Sequence, residues 1–517
     1  MADRLLERFL AHPGRQPAVV DLNGTVWTFD EVLGRALTLA QQLRGTTDVT
    51  GRVVLLRTGP GPLFSVADLA VLLAGGVPAV LPDLTRDQLA ALWPVVQPAT
   101  VLDTVGDGVL AAVAGHVRTP VHIVDERSTR PGGTPAQWRT AARRLAGRRL
   151  EQTATIVFTS GTTGVPRAVA LTEAALVHGT DTWTAQWTGR PARTLSYLPV
   201  SHIAQRIMGH TLMCLYGTTV IASTPARLAQ DLRQHRPDTL LGVPQVWARL
   251  AAACQQPGDS GQRLRQALAQ VRTAVNGAAA LDRTVADTLR RHTGLRICGA
   301  YGATETTVPA FHQDDAATPG LGRPVGVGHR IDDDGQLLLR GPHLAAGYVE
   351  QWPRLNAVTD PDGWLHTGDL VRTDEDPSGG LCLSGRVGSA FKTGAGEMIH
   401  PEPVEAHLLT HPAVDAACLL GPGLPRAVAL VSAPTTADWL PDRVAALEGE
   451  LFHGVETARR EGELPYCDLA AVHVLPDRWP DLLLVTSTGK PRRDLIAVRY
   501  SDLLPTLETA RAIRALV

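Results

Sequence analysis

Of the 49 Lys plus Arg residues in the chain, two are lysine: Lys392 in "SGRVGSAFK" and Lys490 in "TSTGKPRRDL". A protein that writes nearly all its positive charge as arginine has kept an ammonium at two places in its last third. An ammonium is a compact point charge that sits among several oxygens, whereas a guanidinium is a broad planar fork. Positions that need the point charge are candidates for chemistry on an oxyanion. A second candidate is "VFTSGTTGVPRAV", residues 157–169. Gly161 and Gly164 let backbone N–H groups come close to an anion, Thr159, Ser160, Thr162 and Thr163 add donors, and Arg167 adds charge. This suits a polyphosphate cradle; a Gly/Thr loop taken alone equally suits a tight turn. It is not a GxxxxGK[ST] loop, and the nearest imitation, "GSAFKT" at 388–393, has Phe391 where that loop needs glycine.

Such residues need a scaffold to aim them. "TATIVFTS", "TVIAS" and "DTLLGVP" read as short strands closing at Gly, Pro or Ser, and "AALVHGTDTWTAQW" and "LDRTVADTLRRH" as helices. Their alternation predicts α/β layers with mostly parallel strands, whose ligand loops gather at the carboxyl ends. "GQLLLRGPHLAAGY" (335–348) changes texture and predicts a β subdomain over about 320–386. Residues 1–386 are expected to form a large N-terminal domain of layered α/β subdomains plus that β subdomain. Residues 387–517 are expected to form a small α+β C-terminal domain carrying Lys490, with strands in "VDAACLLG" and "RAVALVSAP".

At 517 residues the chain exceeds one ordinary core. A hydrophobic content of 44% with 19% charged residues describes a folded protein, and a net charge of −2 gives no reason to expect nucleic acid or an acidic membrane. The densest basic run, "RRLAGRRL" at 143–150, is short and reads as a solvated face. Cysteines at 214, 254, 298, 382, 418 and 467 have no zinc-ligand or CxxC spacing, which fits free thiols and a reducing, cytoplasmic location. The longest apolar run, "FSVADLAVLLAGGVPAVL", is broken by Asp68 and a Gly pair and reads as a buried helix leading into a strand, not a membrane span. Monomer and homodimer both remain open.

Beyond the phosphate loop, five more segments appear in an order similar to that of the adenylate-forming superfamily of acyl-CoA synthetases, adenylation domains and luciferases. "NGAAAL" (276–281) resembles the adenine-side loop and "YGATET" (301–306) the aromatic–Gly–Thr–Glu motif. "GWLHTGDL" (363–370) resembles the ribose-binding segment, "SGRVGSAFKTGAGEMIHPEPVE" (384–405) the hinge, and "TGKPRRDL" the C-terminal lysine motif. "YLPVSHIAQR" (197–206) and "GVPQVWARL" (242–250) resemble the long-chain fatty acyl-CoA synthetase branch, which usually has Glu where this chain has Gln205.

The resemblance implies ATP and Mg²⁺ as cofactors and attack of an acid's oxyanion on the α-phosphorus of ATP. Thr159 through Gly164 would hold the β/γ-phosphates beside Arg167, and Thr304 would donate to the α-phosphate. Glu305 and Thr159 would ligate Mg²⁺, a hard cation that prefers oxygen. Tyr301, next to Gly302, would stack on adenine beside Gly277 and Ala278; Asp369 would accept the ribose hydroxyls with Arg386 close by. His202 would lie between acid pocket and nucleotide, or else be a packed histidine at a strand end. Trp247 and Trp364 read as packing residues. The resemblance makes the small α+β C-terminal domain mobile: Lys490 would serve adenylation, and Lys392 the second half-reaction after that domain has rotated.

Several positions depart from the family pattern. Arg167 and Ala168 replace Lys and Gly, and Gly388 and Ser389 replace the usual charged hinge. The leading expectation is a carboxylic acid activated as its adenylate and passed to CoA. A diazotase that adenylates nitrite and couples it to an aryl amine in secondary metabolism is the rival expectation. Loading of a carrier protein is a third, and a non-catalytic nucleotide-binding relic a fourth.

Overall fold

The computed structural model describes residues 4–106, 119–145, 152–159, 166–373, 380–394, 398–422, 424–461, 464, 467–482, 484–485, 490–501 and 503. Two large sheets dominate. The nine-stranded sheet runs, in spatial order, through Arg323–Pro324, Phe311–Gln313, Ile297–Tyr301, Thr273–Asn276, Thr239–Gly242, Arg193–Ser196, Thr219–Ala222, Pro17–Val20 and Val26–Thr28. Its six middle strands are parallel and its margins antiparallel. Parallel strands are covered on both faces, which explains why "TLLG" and "TAVN" are buried along their whole length.

The eight-stranded sheet runs Arg354–Asn356, Gly347–Gln351, Arg167–Thr172, Thr153–Thr159, Val77–Val80, Val53–Arg57, Thr100–Asp103 and Val121–Ile123. Helix Pro62–Ala74, the apolar run interrupted by Asp68, ends at Gly75 in the left-handed conformation (φ 87°) and feeds directly into Val77. Asp68 is fully buried and pairs with Arg206 Nη2 at 2.6 Å and His210 Nε2 at 2.9 Å. Those partners belong to the helical stretch Ile203–Tyr216, whose residues Ile207–Thr211 form a π-helical turn. The charge that breaks the hydropathy pattern thus ties the helix after a strand of one sheet to the helix after a strand of the other.

A four-stranded antiparallel sheet follows: Gly328–Ile331, Gln336–Arg340, Leu365–Thr373 and Leu381–Arg386. Three strands inside 320–386 pair elsewhere: Gly347–Gln351 and Arg354–Asn356 join the eight-stranded sheet beside Arg167–Thr172, and Arg323–Pro324 edges the nine-stranded one. The texture of "GQLLLRGPHLAAGY" signals β structure but carries no information about which sheet receives each strand. Beyond them lies a three-stranded sheet, Ala416–Leu420, Ala427–Ser432 and Leu469–Leu475, with helices Pro401–Leu408, Pro441–Arg460 and Arg493–Arg499 and its own buried core around Val404, Val431 and Val455. The fold is α/β, with layered sheets in a large N-terminal portion and a small α+β C-terminal portion. Gln245, in helix Pro244–Gln255, donates to the carbonyls of Val414 (2.9 Å) and Asp415 (3.1 Å), and Arg249 pairs with Asp415, fixing the small portion against the large one. No helix among the described residues is long and apolar enough to cross a membrane.

Candidate active site

The carboxyl ends of parallel strands supply the floor of the site. After Thr273–Asn276 the chain turns through Gly277 and Ala278, and Ala278 takes φ 73°, an uncommon conformation for a residue with a Cβ. Asn276 Nδ2 holds the turn by donating to Ala279 O at 2.8 Å, while its buried Oδ1 has no partner. A Cβ at Gly277 would meet nothing within 4 Å, so the backbone there lies open to a flat ligand.

One strand over, Ile297–Tyr301 delivers Tyr301, Gly302 and the short helical turn Thr304–Thr306. A Cβ on Gly302 would fall 2.9 Å from Thr306 Oγ1 and 3.0 Å from Pro309 Cα, so the turn closes tightly only over glycine. Glu305 is held by Ala345 N, which donates to its carbonyl at 2.8 Å, and by Tyr348 Oη, which donates to Oε1 at 2.9 Å.

The four-stranded sheet contributes the opposing side. Asp369 and Arg386 are cross-strand partners, with Arg386 Nε 2.8 Å from Asp369 Oδ1. Tyr301 Oη donates to Asp369 Oδ2 at 2.6 Å. Each carboxylate oxygen accepts two hydrogen bonds, so Asp369 keeps capacity for two further donors. Burial first, and the Asp369 charge next, push the Tyr301 hydroxyl well above its ordinary pKa, keeping it a donor.

Lys490 reaches this cluster from the C-terminal portion. Surrounding protein lowers its pKa first and the Arg386 guanidinium next, against the raising pull of Asp369, Glu305 and Glu402, although the residue is exposed to solvent. His202 caps the helix Ile203–Arg206, its Nδ1 accepting from Ala204 N at 3.3 Å. Burial, followed by the Lys490 charge, brings the His202 pKa down to about 4, so the ring is neutral at pH 7. Lys392 stands exposed on the ribbon formed by Phe391–Lys392 and Met398–Ile399. Between the sheet and both lysines lies Gly388, at φ 77° with nothing within 4 Å of a Cβ built there.

Thr159 and Arg167 face each other across the antiparallel pair that brackets the Gly/Thr loop. Ser160, Gly161, Thr162, Thr163 and Gly164 lie outside the described residues. Trp247 is fully buried against Gly242, and Trp364 lies beneath Arg330, whose guanidinium is 4.6 Å from the ring centroid. Sequence reasoning missed Tyr348, Glu402 and the pair Arg493–Glu405, in which Arg493 Nη2 donates to Glu405 Oε2 at 2.5 Å three residues beyond Lys490. "GYVE" gave no signal for Tyr348, because its relevance comes from a strand pairing invisible in the local pattern.

A family model for AMP-binding enzymes matches residues 6–349. The chain belongs to the AMP-binding enzyme family. This AMP-binding enzyme is 27% identical over 424 residues to the long-chain-fatty-acid–CoA ligase FadD15 of Mycobacterium bovis, covering 69% of this chain and 70% of that one. It is 29% identical over 336 residues to the long-chain-fatty-acid–CoA ligase ACSBG1 of Rattus norvegicus, a match spanning 52% of this chain and 45% of the relative. Its fold is shared with ATP-bound MatB from Rhodopseudomonas palustris, at TM-score 0.74 and 22% identity over 97% of this chain and 100% of that one. It is shared too with o-succinylbenzoate CoA synthetase (MenE) from Bacillus subtilis in complex with ATP and magnesium ion, at TM-score 0.72 and 19% identity over 95% and 98% of the two chains.

The residues present fit Mg²⁺ carried on a nucleotide. Among the described residues no group of three or more His, Cys, Asp or Glu side chains forms a metal cage, whereas Glu305 offers one carboxylate whose Oε1 alone is bonded by Tyr348. Magnesium is commonly held in that way, by one or two carboxylates together with substrate phosphates and water.

Proposed function

We propose that the protein is an ATP-dependent ligase that joins a carboxylic acid to AMP, releases pyrophosphate, and passes the acyl group to an acceptor thiol, that of CoA. The observation that supports this reading is that the Lys490 ammonium, from the C-terminal portion, lies in the electrostatic field of Arg386, Asp369 and Glu305 and itself lowers the pKa of His202, all groups of the N-terminal portion. An acid oxyanion attacks the α-phosphorus, the bond to the bridging oxygen of the β-phosphate breaks, and pyrophosphate leaves with that electron pair. The Lys490 ammonium neutralises charge gathering on the α-phosphate and acid oxygens, with Thr304 as a further donor. Asp369 and Arg386 orient the ribose, while Tyr301, Gly277 and Ala278 flank the adenine. Thr159, Arg167 and the loop between them hold the outer phosphates. Mg²⁺, carried by Glu305 and Thr159, would screen the charge of the polyphosphate.

Neutral His202 closes the acid side without adding a cation. For transfer, residues 387–517 act as one lobe that swings about Gly388 and presents Lys392 in place of Lys490 as the acceptor displaces AMP.

A second reading, activation of nitrite followed by coupling to an aryl amine, is supported by the helical stretch that His202 opens. Gln205 Nε2 is buried there without a hydrogen-bond partner. A polar group in that place suits a small oxyanion better than a long alkyl chain. The deciding experiment is pyrophosphate release across fatty acids, aryl acids and nitrite, with and without CoA or an aryl amine. Acid- and CoA-dependent turnover supports the first reading, and nitrite- and amine-dependent turnover replaces it with the second. Release with no acceptor at all points to a carrier protein. No release with any substrate overturns the ligase reading.

A further inference from the structure

Arg167 leaves the phosphate loop at the start of strand Arg167–Thr172, opposite Thr159. The neighbouring strand Gly347–Gln351 places Tyr348 opposite Val169. Residues 167 and 169 share one face of their strand, so Arg167 and Tyr348 are diagonal neighbours, within reach for a long side chain and a ring. They meet closely: the guanidinium carbon lies 3.4 Å from the centroid of the Tyr348 ring. At its other end the same side chain donates from Oη to Glu305 Oε1 at 2.9 Å. One residue therefore touches the cation beside the phosphate loop and the carboxylate assigned to the metal.

We propose that Tyr348 is a positioning residue of the nucleotide site, whose ring seats Arg167 and whose hydroxyl orients Glu305, holding phosphate-loop cation and metal-side carboxylate at a fixed spacing. The proposal rests on the reading of Glu305 and Arg167 given above and adds the element that couples them. A planar guanidinium lies flat on a ring in a way a compact ammonium does not. This gives a physical reason for arginine at a position where the family pattern has lysine. The phenol occupies one lone pair of Oε1 and leaves Oε2 for a hard cation, while restricting the carboxylate's rotation. Without the phenol, Glu305 would have to be ordered by the incoming nucleotide itself.

Three variants separate these contributions. Tyr348→Phe keeps the ring and loses the hydroxyl that bonds Glu305 and also touches Arg167, Arg167→Lys keeps the charge and loses the plane, and Tyr348→Leu loses both ring and hydroxyl. Binding of a non-cleavable ATP analogue is followed by calorimetry and thermal shift as Mg²⁺ is varied, alongside pyrophosphate release.

Tyr348→Phe is expected to raise the Mg²⁺ concentration for half-maximal effect by about tenfold, a larger factor than any loss of metal-free nucleotide affinity. Arg167→Lys is expected to weaken the analogue by about two- to fivefold in the wild-type background and by less than that in Tyr348→Leu. An unaltered Mg²⁺ requirement in Tyr348→Phe, or equal effects of Arg167→Lys in both backgrounds, overturns the proposal. Glu305→Gln serves as the reference: if it leaves the Mg²⁺ requirement unchanged, the metal role of Glu305 fails, and the Arg167→Lys comparison then decides the seating role of Tyr348 by itself.

Discussion

The chain contains two clusters of charge built to opposite specifications. Asp68, Arg206 and His210 are at most 2% exposed and sit between helices that follow strands of different sheets. Asp369 and Arg386 have side chains 16% and 41% exposed, and Tyr301, Glu305 and Lys490 gather around them. In the first cluster burial pushes the Asp68 pKa up, but Arg206 and His210 outweigh it and hold it at about 2. Burial also disfavours a charged His210, yet Cys214 and Asp68 raise it to about 9. The second cluster keeps spare lone pairs and solvent contact. Similar residue types thus serve cohesion where water is excluded and remain available for a ligand where it is not.

The most damaging test of this contrast is Asp68→Asn, which strands two cations in the interior. It is expected to cost roughly 3–5 kcal/mol of stability by urea unfolding, while nucleotide affinity of the folded fraction is kept. Next is Lys490→Arg, expected to slow pyrophosphate release by about 10²–10³-fold with an unchanged melting temperature. Under the same conditions Lys392→Arg should form adenylate normally and fail in transfer, read by single-turnover assays. If both lysine variants lose the same half-reaction, the division of labour between them is wrong.

A smaller effect follows from pH. Because His210 titrates in the fold near 9, above its ordinary value of 6.5, its stabilisation is complete below about 6.5 and is lost as pH rises through about 9. Asp68 stays ionised across that range. Unfolding titrations between about pH 6 and 10 should therefore show a decline on the order of 1–3 kcal/mol that His210→Gln removes. Smallest is Gly388→Ala. A Cβ has room there but the left-handed backbone is disfavoured, by about 1 kcal/mol, so the balance between the two half-reactions should shift by roughly fivefold without loss of fold.

The parts of the site that could be read from sequence share a physical origin. Gly277, Tyr301, Thr304 and Asp369 lie at or beside turns whose Gly and hydroxyl residues are local, so short motifs mark them. The alternation of strand and helix likewise announced the parallel layers. What stayed hidden depends on pairing at a distance. Asp68 read as an interruption, because Arg206 stands 138 positions away. Tyr348 read as part of a β subdomain, because nothing in "GYVE" reveals that its strand lies beside Arg167–Thr172. Both antiparallel margins of the nine-stranded sheet and the one antiparallel margin of the eight-stranded sheet were unannounced for the same reason.

The scarcity of lysine has a practical corollary. Apart from the amino terminus, an acylating reagent finds two primary amines on the whole molecule, both exposed, one on a two-stranded ribbon and the other in the field of Arg386, Asp369 and Glu305. Peptide mass mapping after brief labelling would then act as a two-position gauge of which amine is sheltered as substrates are added, with no engineered probe.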